Sequence, residues 1–268
     1  MVQFNSQKTI CLTPEAKYVT PGDLYQMRHP ILGSRHVPTP FYDLSMYIVD
    51  SCDRTFGHLG EGSAELVVNK TKTGHHLLGK VRFPGDDGIS RLVAFRSSDN
   101  MDFATTVSGG GEVFMCANGM MLTSGTKDVR KNTRNAWGDF VEIVDNLLGR
   151  HDESFARIQE DARTLKGIPC SERRGAELIG FAQYQGVLTD TQANVARKEH
   201  RLPGSTLPKL ESGAYDPRVA LWQADDGFGE RTAWSLYNAF TESIKKGSPA
   251  SVISRHTRVH DWMMSQAA

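Results

Sequence analysis

Apolar side chains follow two rhythms along the chain. Phe41, Leu44, Tyr47, Ile48 and Cys52 recur at steps of three and four, which puts them on one buried helical face. Thr39 and Pro40 precede that run and Asp43 falls in its first turn. Threonine can cap, proline suits a position where the amide hydrogen would be unsatisfied anyway, and the carboxylate suits the helix dipole. Gly57 is a plausible stop. Between Gly60 and Leu122 the rhythm changes to short stretches rich in Val, Phe and Thr, broken by Gly, Asp and Asn clusters. This predicts strands over residues 63–69, 76–83, 90–96, 102–107 and 112–117, with turns at KTKTGH, PGDDG, SSDNM and SGGG. Each connection is shorter than the dozen or so residues of a parallel crossover, so the strands should form an antiparallel meander; a doubly wound nucleotide fold is disfavoured.

After Asn118 and Gly119, read as a turn at a strand end, comes the polar stretch TSGTKDVRKNTR. Helical spacing then returns. Trp137, Phe140, Val141, Val144, Leu147 and Leu148 form one stripe, and Phe155, Ile158, Ala162 and Leu165 another, with a break near Gly149. Shorter helices are expected from Ser171 through GAELIGFAQYQG, from Asp190 to His200 and from Arg231 to Lys246, with a Pro/Gly loop from Pro203 to Pro217 and a basic tail from Gly247. The first 36 residues, punctuated by Pro14, Pro21, Gly22, Pro30 and Gly33, read as an irregular arm able to lie over a neighbouring subunit. The expectation is an α+β protein in three parts. Residues 1–36 form the arm, 37–166 a helix, an antiparallel β-meander and a long helix, and 167–268 a mainly helical C-terminal layer.

Composition narrows the class. With 31 Lys plus Arg, 31 Asp plus Glu and 39% hydrophobic residues, the chain is neither disordered nor a uniformly basic coat protein. No apolar run approaches the roughly 18 residues of a membrane span, and MVQFNSQKTICL lacks the order of a signal peptide, so a soluble intracellular protein is expected. Cys11, Cys52, Cys116 and Cys170 form no CxxC pair and read as small hydrophobes.

Motif chemistry adds little. Gly109, Gly110 and Gly111 are followed by no Gly-Lys-Ser/Thr, and Gly125-Thr126-Lys127 lacks the upstream glycine of a phosphate loop. His256 and His260 would share a helical face, but the residues between them include no Glu and a third metal ligand would have to come from afar. His75 and His76 point to opposite faces of a strand, and Asp86 and Asp87 simply suit a turn. No nucleophile elbow is present. The expectation is therefore no catalytic constellation, no metal, no cofactor and no enzyme.

Charge is distributed unevenly although it sums to zero. Lys70, Lys72, Lys80, Arg82, Arg91 and Arg96 face only Asp86 and Asp87 over their stretch, and Lys127, Arg130, Lys131 and Arg134 only Asp128. Lys80 and Arg82 share a strand face that Arg96 extends if the register permits. A basic groove of Lys80, Arg82, Arg96, Lys127, Arg130, Lys131 and Arg134 would follow a nucleic-acid backbone, with Phe95 or Phe103 stacking bases if exposed. The competing reading is that such cations keep the sheet soluble.

The segment FRSSDNMDFATTVSGGGEVFMCANGMML resembles the signature of an uncharacterised phage- and plasmid-borne family, domain of unknown function nine-three-two. Ser97, Ser98 and Asp99, then Cys116, Asn118 and Gly119, carry the likeness, and HVPTPFYDLSMYIVD and LWQADDGFGERTAWSLYNAFTESIKKGSP are similar in placement to family segments. More distantly, the order of helix, basic antiparallel strands and long helix is similar to single-strand annealing proteins of the Rad-fifty-two type, although no counterpart of their diagnostic glycine-containing helix is found. That likeness implies a phage protein in the cytoplasm of an infected bacterium that binds single-stranded DNA, forms a homo-oligomer such as a ring, and anneals complements without ATP. The alternative from another class is a phage interaction protein that inhibits a host defence factor or sequesters its ligand.

Overall fold

Five consecutive strands make the centre of the fold: β3 (Gly62–Lys70), β4 (His75–Phe83), β5 (Ile89–Ser98), β6 (Thr106–Val113) and β7 (Asn118–Asp128). The computed structural model describes residues 1–5, 15–113, 118–128, 135–201, 231–245 and 250–267. Neighbours pair antiparallel in the order β3-β4-β5-β6-β7, the expected meander. Two short strands, β1 (Val2–Phe4) and β2 (Ala16–Tyr18), complete a seven-stranded sheet by sharing the outer edge of β3, β1 parallel and β2 antiparallel. Among the described residues there are eight α-helices: α1 (Pro21–Gln26), α2 (Phe41–Phe56), α3 (Ala136–Gly149), α4 (His151–Gly167), α5 (Glu172–Tyr184), α6 (Asp190–Arg201), α7 (Ala233–Ile244) and α8 (Val252–Ala267). The fold is α+β, with helices making up the C-terminal part.

Strand alternation sorts the sheet into two faces. One presents Leu66, Val68, Leu77, Val81, Val93, Phe95 and Val107 to the buried stripe of α2 and α3, including Phe41, Leu44, Ile48 and Phe140. Phe95 is fully buried there, so it is a core residue and no base-stacking platform. The other face carries an apolar patch of Val67, Leu78, Leu92, Ala94 and Met121, closed by Val252 and Ile253 at the start of α8. A second core fills the helical layer, where Phe155, Ile158 and Leu165 of α4 meet Trp234, Tyr237 and Phe240 of α7 and Trp262 of α8.

Three expectations change. The arm is not wholly irregular: β1, β2 and α1 form within it, with Thr20 and Asp23 making a capping box at α1, and the two strands cover the edge of their own sheet. The run Ser108 to Gly111 is no turn but the middle of β6. Glycine is needed there because side chains from β5 and α4 approach the backbone: a Cβ on Gly111 would lie 2.7 Å from Ile89 and 3.0 Å from Ile158. Consequently β6 starts at Thr106, and β7 occupies residues 118–128, so Asn118 and Gly119 open a strand. A register shift opposite Ser108 and Gly110 breaks the alternation that would have revealed β7. The tail is α8, and its His256 and His260 are buried, His260 Nε2 lying 3.0 Å from Asp161 Oδ2. The Pro/Gly loop from 203 to 217 lies outside the described residues.

Candidate nucleic-acid interface

The register does place Lys80, Arg82 and Arg96 on one face. Lys80 pairs with Glu65 on β3 and Ala94 on β5, Arg82 with Ser63 and Leu92, and Arg96 with Leu78 and Thr106. Their environments differ sharply. Lys80 is buried, its ammonium held by Glu112 from two strands away and 3.6 Å from Glu65, both carboxylates also buried. That charge is neutralised inside the protein, so Lys80 drops out of the expected trough. Arg82 Nε lies 3.9 Å from Glu112 and the residue lines a cleft of about 330 Å³ with Gln3, Glu61, Ser63 and Ser90, at the end of the sheet away from Arg96. Arg96 is half-buried: its Nε donates to Thr106 Oγ1 at 3.0 Å and its guanidinium lies 4.9 Å above the Phe103 ring.

Phe103 belongs to the loop between β5 and β6, and its other neighbour is His76, edge-on at 4.8 Å. Arg96, Phe103 and His76 thus form a cationic and aromatic stack on the charged face. At the same sheet end Lys70, the last residue of β3, is exposed on the side opposite the stack, and Lys72 is exposed in the β3–β4 turn. Along the ladder Arg96 faces Thr106, which faces Asp128, the last residue of β7. The basic segment with Arg130, Lys131 and Arg134 follows directly in sequence; it lies outside the described residues, as does the Lys127 side chain.

A polar network makes this sheet end rigid. Asn100 Nδ2 donates to Thr71 Oγ1, Thr73 Oγ1 and Asp102 Oδ2 at 2.8 to 3.0 Å, tying the β5–β6 loop to the β3–β4 turn. Asp102 also lies 2.7 Å from His76 Nε2. At the centre, fully buried Asp99 accepts from the His75 amide at 2.6 Å and, through its other oxygen, from the rings of His75 and His29, each at 3.0 Å. Burial pushes the Asp99 carboxyl up, but the hydrogen bonds from His29 and His75 outweigh it and hold the group below the usual carboxylate range. His29 Nε2 accepts the Phe41 amide at 3.3 Å, serving the first turn of α2, whose N-cap Pro40 has no side-chain acceptor. That bond fixes the proton on Nδ1, so His29, Asp99 and His75 form a hydrogen-bonded relay and not a ligand set. Among the described residues no cluster of His, Cys, Asp or Glu is suited to hold a metal ion. Met101, in the same loop, has φ of 62°, a left-handed conformation that costs a non-glycine residue about 1 kcal/mol.

Fold and site together define an α+β protein whose helix-backed antiparallel sheet carries cations and an aromatic ring at one end. The chain belongs to the family described as Domain of unknown function (DUF932), whose model matches residues 56–267 and so includes the whole β5–β6 loop. His29 lies outside the match. No curated protein and no solved structure matches the chain. No helix among the described residues is long and apolar enough to cross a membrane.

Proposed function

We propose that this protein is phage-encoded, works in the cytoplasm of an infected bacterium, and binds single-stranded DNA to bring complementary strands together without ATP. The observation that supports the reading is the Arg96, Phe103 and His76 stack, with Lys70 and Lys72 exposed at the same end of the sheet. Phosphates need cations and unpaired bases need a flat partner, and Arg96 on Phe103 is the one place among the described residues where a candidate cation meets a half-exposed ring. Arg82, Lys127, Arg130, Lys131 and Arg134 extend the phosphate contacts in the proposal. Assembly into a homo-oligomer, a ring in the annealing mechanism, aligns many such sites along one strand.

The experiment is anisotropy of a labelled oligo-dT over a salt series. Binding through Z phosphates gives a log–log slope near about −0.7Z, and annealing of complementary strands is then followed by energy transfer without nucleotide. Absence of binding at low salt overturns the proposal. It would favour the second reading, an interaction protein acting on a host factor. One observation supports that reading: Tyr25, Ile31, Leu32 and Val37 are exposed within one short segment.

A further inference from the structure

We propose that His75 and Lys70 form a ribose–phosphate subsite that gives RNA an advantage over DNA of the same sequence; the inference rests on the single-strand reading above. In the neutral ring, His75 donates its Nδ1 proton to buried Asp99 at 3.0 Å and the lone pair sits on Nε2. The side chain is 23% exposed, and among the described residues Nε2 neither makes a hydrogen bond nor is sealed from solvent. A fixed acceptor therefore faces outward. Lys70 is its direct cross-strand partner, so both side chains leave the sheet on the same side, their Cβ atoms roughly 5 Å apart, and Lys70 is exposed.

An acceptor and a cation at that spacing complement a hydroxyl beside a phosphate. In a single strand that pair is the ribose 2′-OH and its own 3′-phosphate; DNA keeps the phosphate and lacks the donor. The site is also pre-organised. The turn from Thr71 to Gly74 is held by Asn100, and Gly74 has no room for a side chain because a Cβ would strike Asp99 Oδ1. A second tie to the same carboxylate, from His29, fixes Asp99 independently of His75. Adjacent His76 carries the stack on the opposite face, so a strand passing around the sheet end meets a sugar-blind platform and then a sugar-reading subsite.

The test compares three labelled oligonucleotides of one sequence as DNA, RNA and 2′-O-methyl RNA. The methyl ether keeps the ribose shape and removes the donor. RNA should bind about five- to tenfold tighter than both others, the worth of one hydrogen bond. His75→Phe, which keeps a ring of similar shape, should abolish that advantage, with circular dichroism confirming the fold; Lys70→Gln should weaken RNA binding and lower the salt slope. Equal binding of RNA and DNA, an equal gain for 2′-O-methyl RNA, or an RNA advantage surviving in His75→Phe overturns the subsite while leaving single-strand binding intact. Failure of all three oligonucleotides to bind overturns both.

Discussion

The middle and the end of the charged sheet face use the same residue types to opposite effect. In the middle, Lys80 is flanked by two buried carboxylates, and its charge serves only the interior. At the end, Arg96 rests on Phe103 beside His76, while Lys72 is exposed in the adjoining turn. Depth decides the difference. A cation under the sheet's covering layer must be matched by anions because desolvation of an unpaired charge costs several kcal/mol. A cation at a strand end keeps part of its hydration and can exchange water for phosphate. The charges on this face thus divide into a part paired inside the protein and a part that keeps contact with solvent.

The sharpest way to break this division is Lys80→Met, because it removes the ammonium and leaves Glu65 and Glu112 buried together. Loss of one partner from a buried ion pair costs about 3–5 kcal/mol, so urea unfolding should show the largest destabilisation of any single charge on this face. The folded fraction should still bind oligonucleotide with the wild-type salt slope. A drop in that slope, measured on protein verified as folded, would return Lys80 to the interface.

Much of the fold was legible because its signals are local. The stripe of α2, the break at Gly149, the start of α5 at Ser171 and the strands β3 to β5 each depend on residues within a few positions of one another. What was missed depends on contacts between distant segments. Gly109 and Gly111 look like a turn until helices are known to press on them. The arm looks irregular because its strands are three residues long and exist only against β3. The Asp99–His75 pair was within reach of the sequence. Once the β4–β5 turn is fixed at PGDDG, antiparallel register carries residue 75 opposite residue 99, and the same reasoning across the β3–β4 turn sets Glu65 against Lys80. Counting charge along the chain overlooked that carboxylate because it lies fifteen residues upstream.

Phe103→Ala sharpens the contrast from the other side. The ring is half-buried and holds Arg96 and His76 in place, so its removal should cost oligonucleotide affinity about 1–3 kcal/mol. Global stability should fall by less than in Lys80→Met, since no charge is stranded. Anisotropy and urea unfolding on the same preparations give both numbers. Equal losses in stability for the two variants would mean that Phe103 belongs to the core and not to a surface platform.

Acid provides the mildest perturbation, and through Asp99 it acts on the end of the sheet. The hydrogen bonds from His29 and His75 hold the Asp99 carboxyl below its unfolded-chain value of about 4. A lowered acid contributes stability that is complete above the unfolded value and disappears as pH falls through the folded one, so the effect belongs below about pH 4. There the protonated carboxyl loses its grip on both rings, and the His29 ring that holds the Phe41 amide loses its anchor. Hydrogen exchange should accelerate first at the His75 and Phe41 amides, while those at Val81 and Val93 in the middle of the sheet stay protected. A background loss starts nearer pH 6.5, because burial lowers the values of His151 and His200 and the unfolded chain then binds protons first, at most about 1.4 kcal/mol per pH unit for each ring. Asp99→Asn separates the two. It should remove the early exchange at His75 and Phe41 as a function of pH and leave the decline from the buried rings, whereas simultaneous exposure of sheet end and sheet centre in the wild type would show that they unfold as one unit.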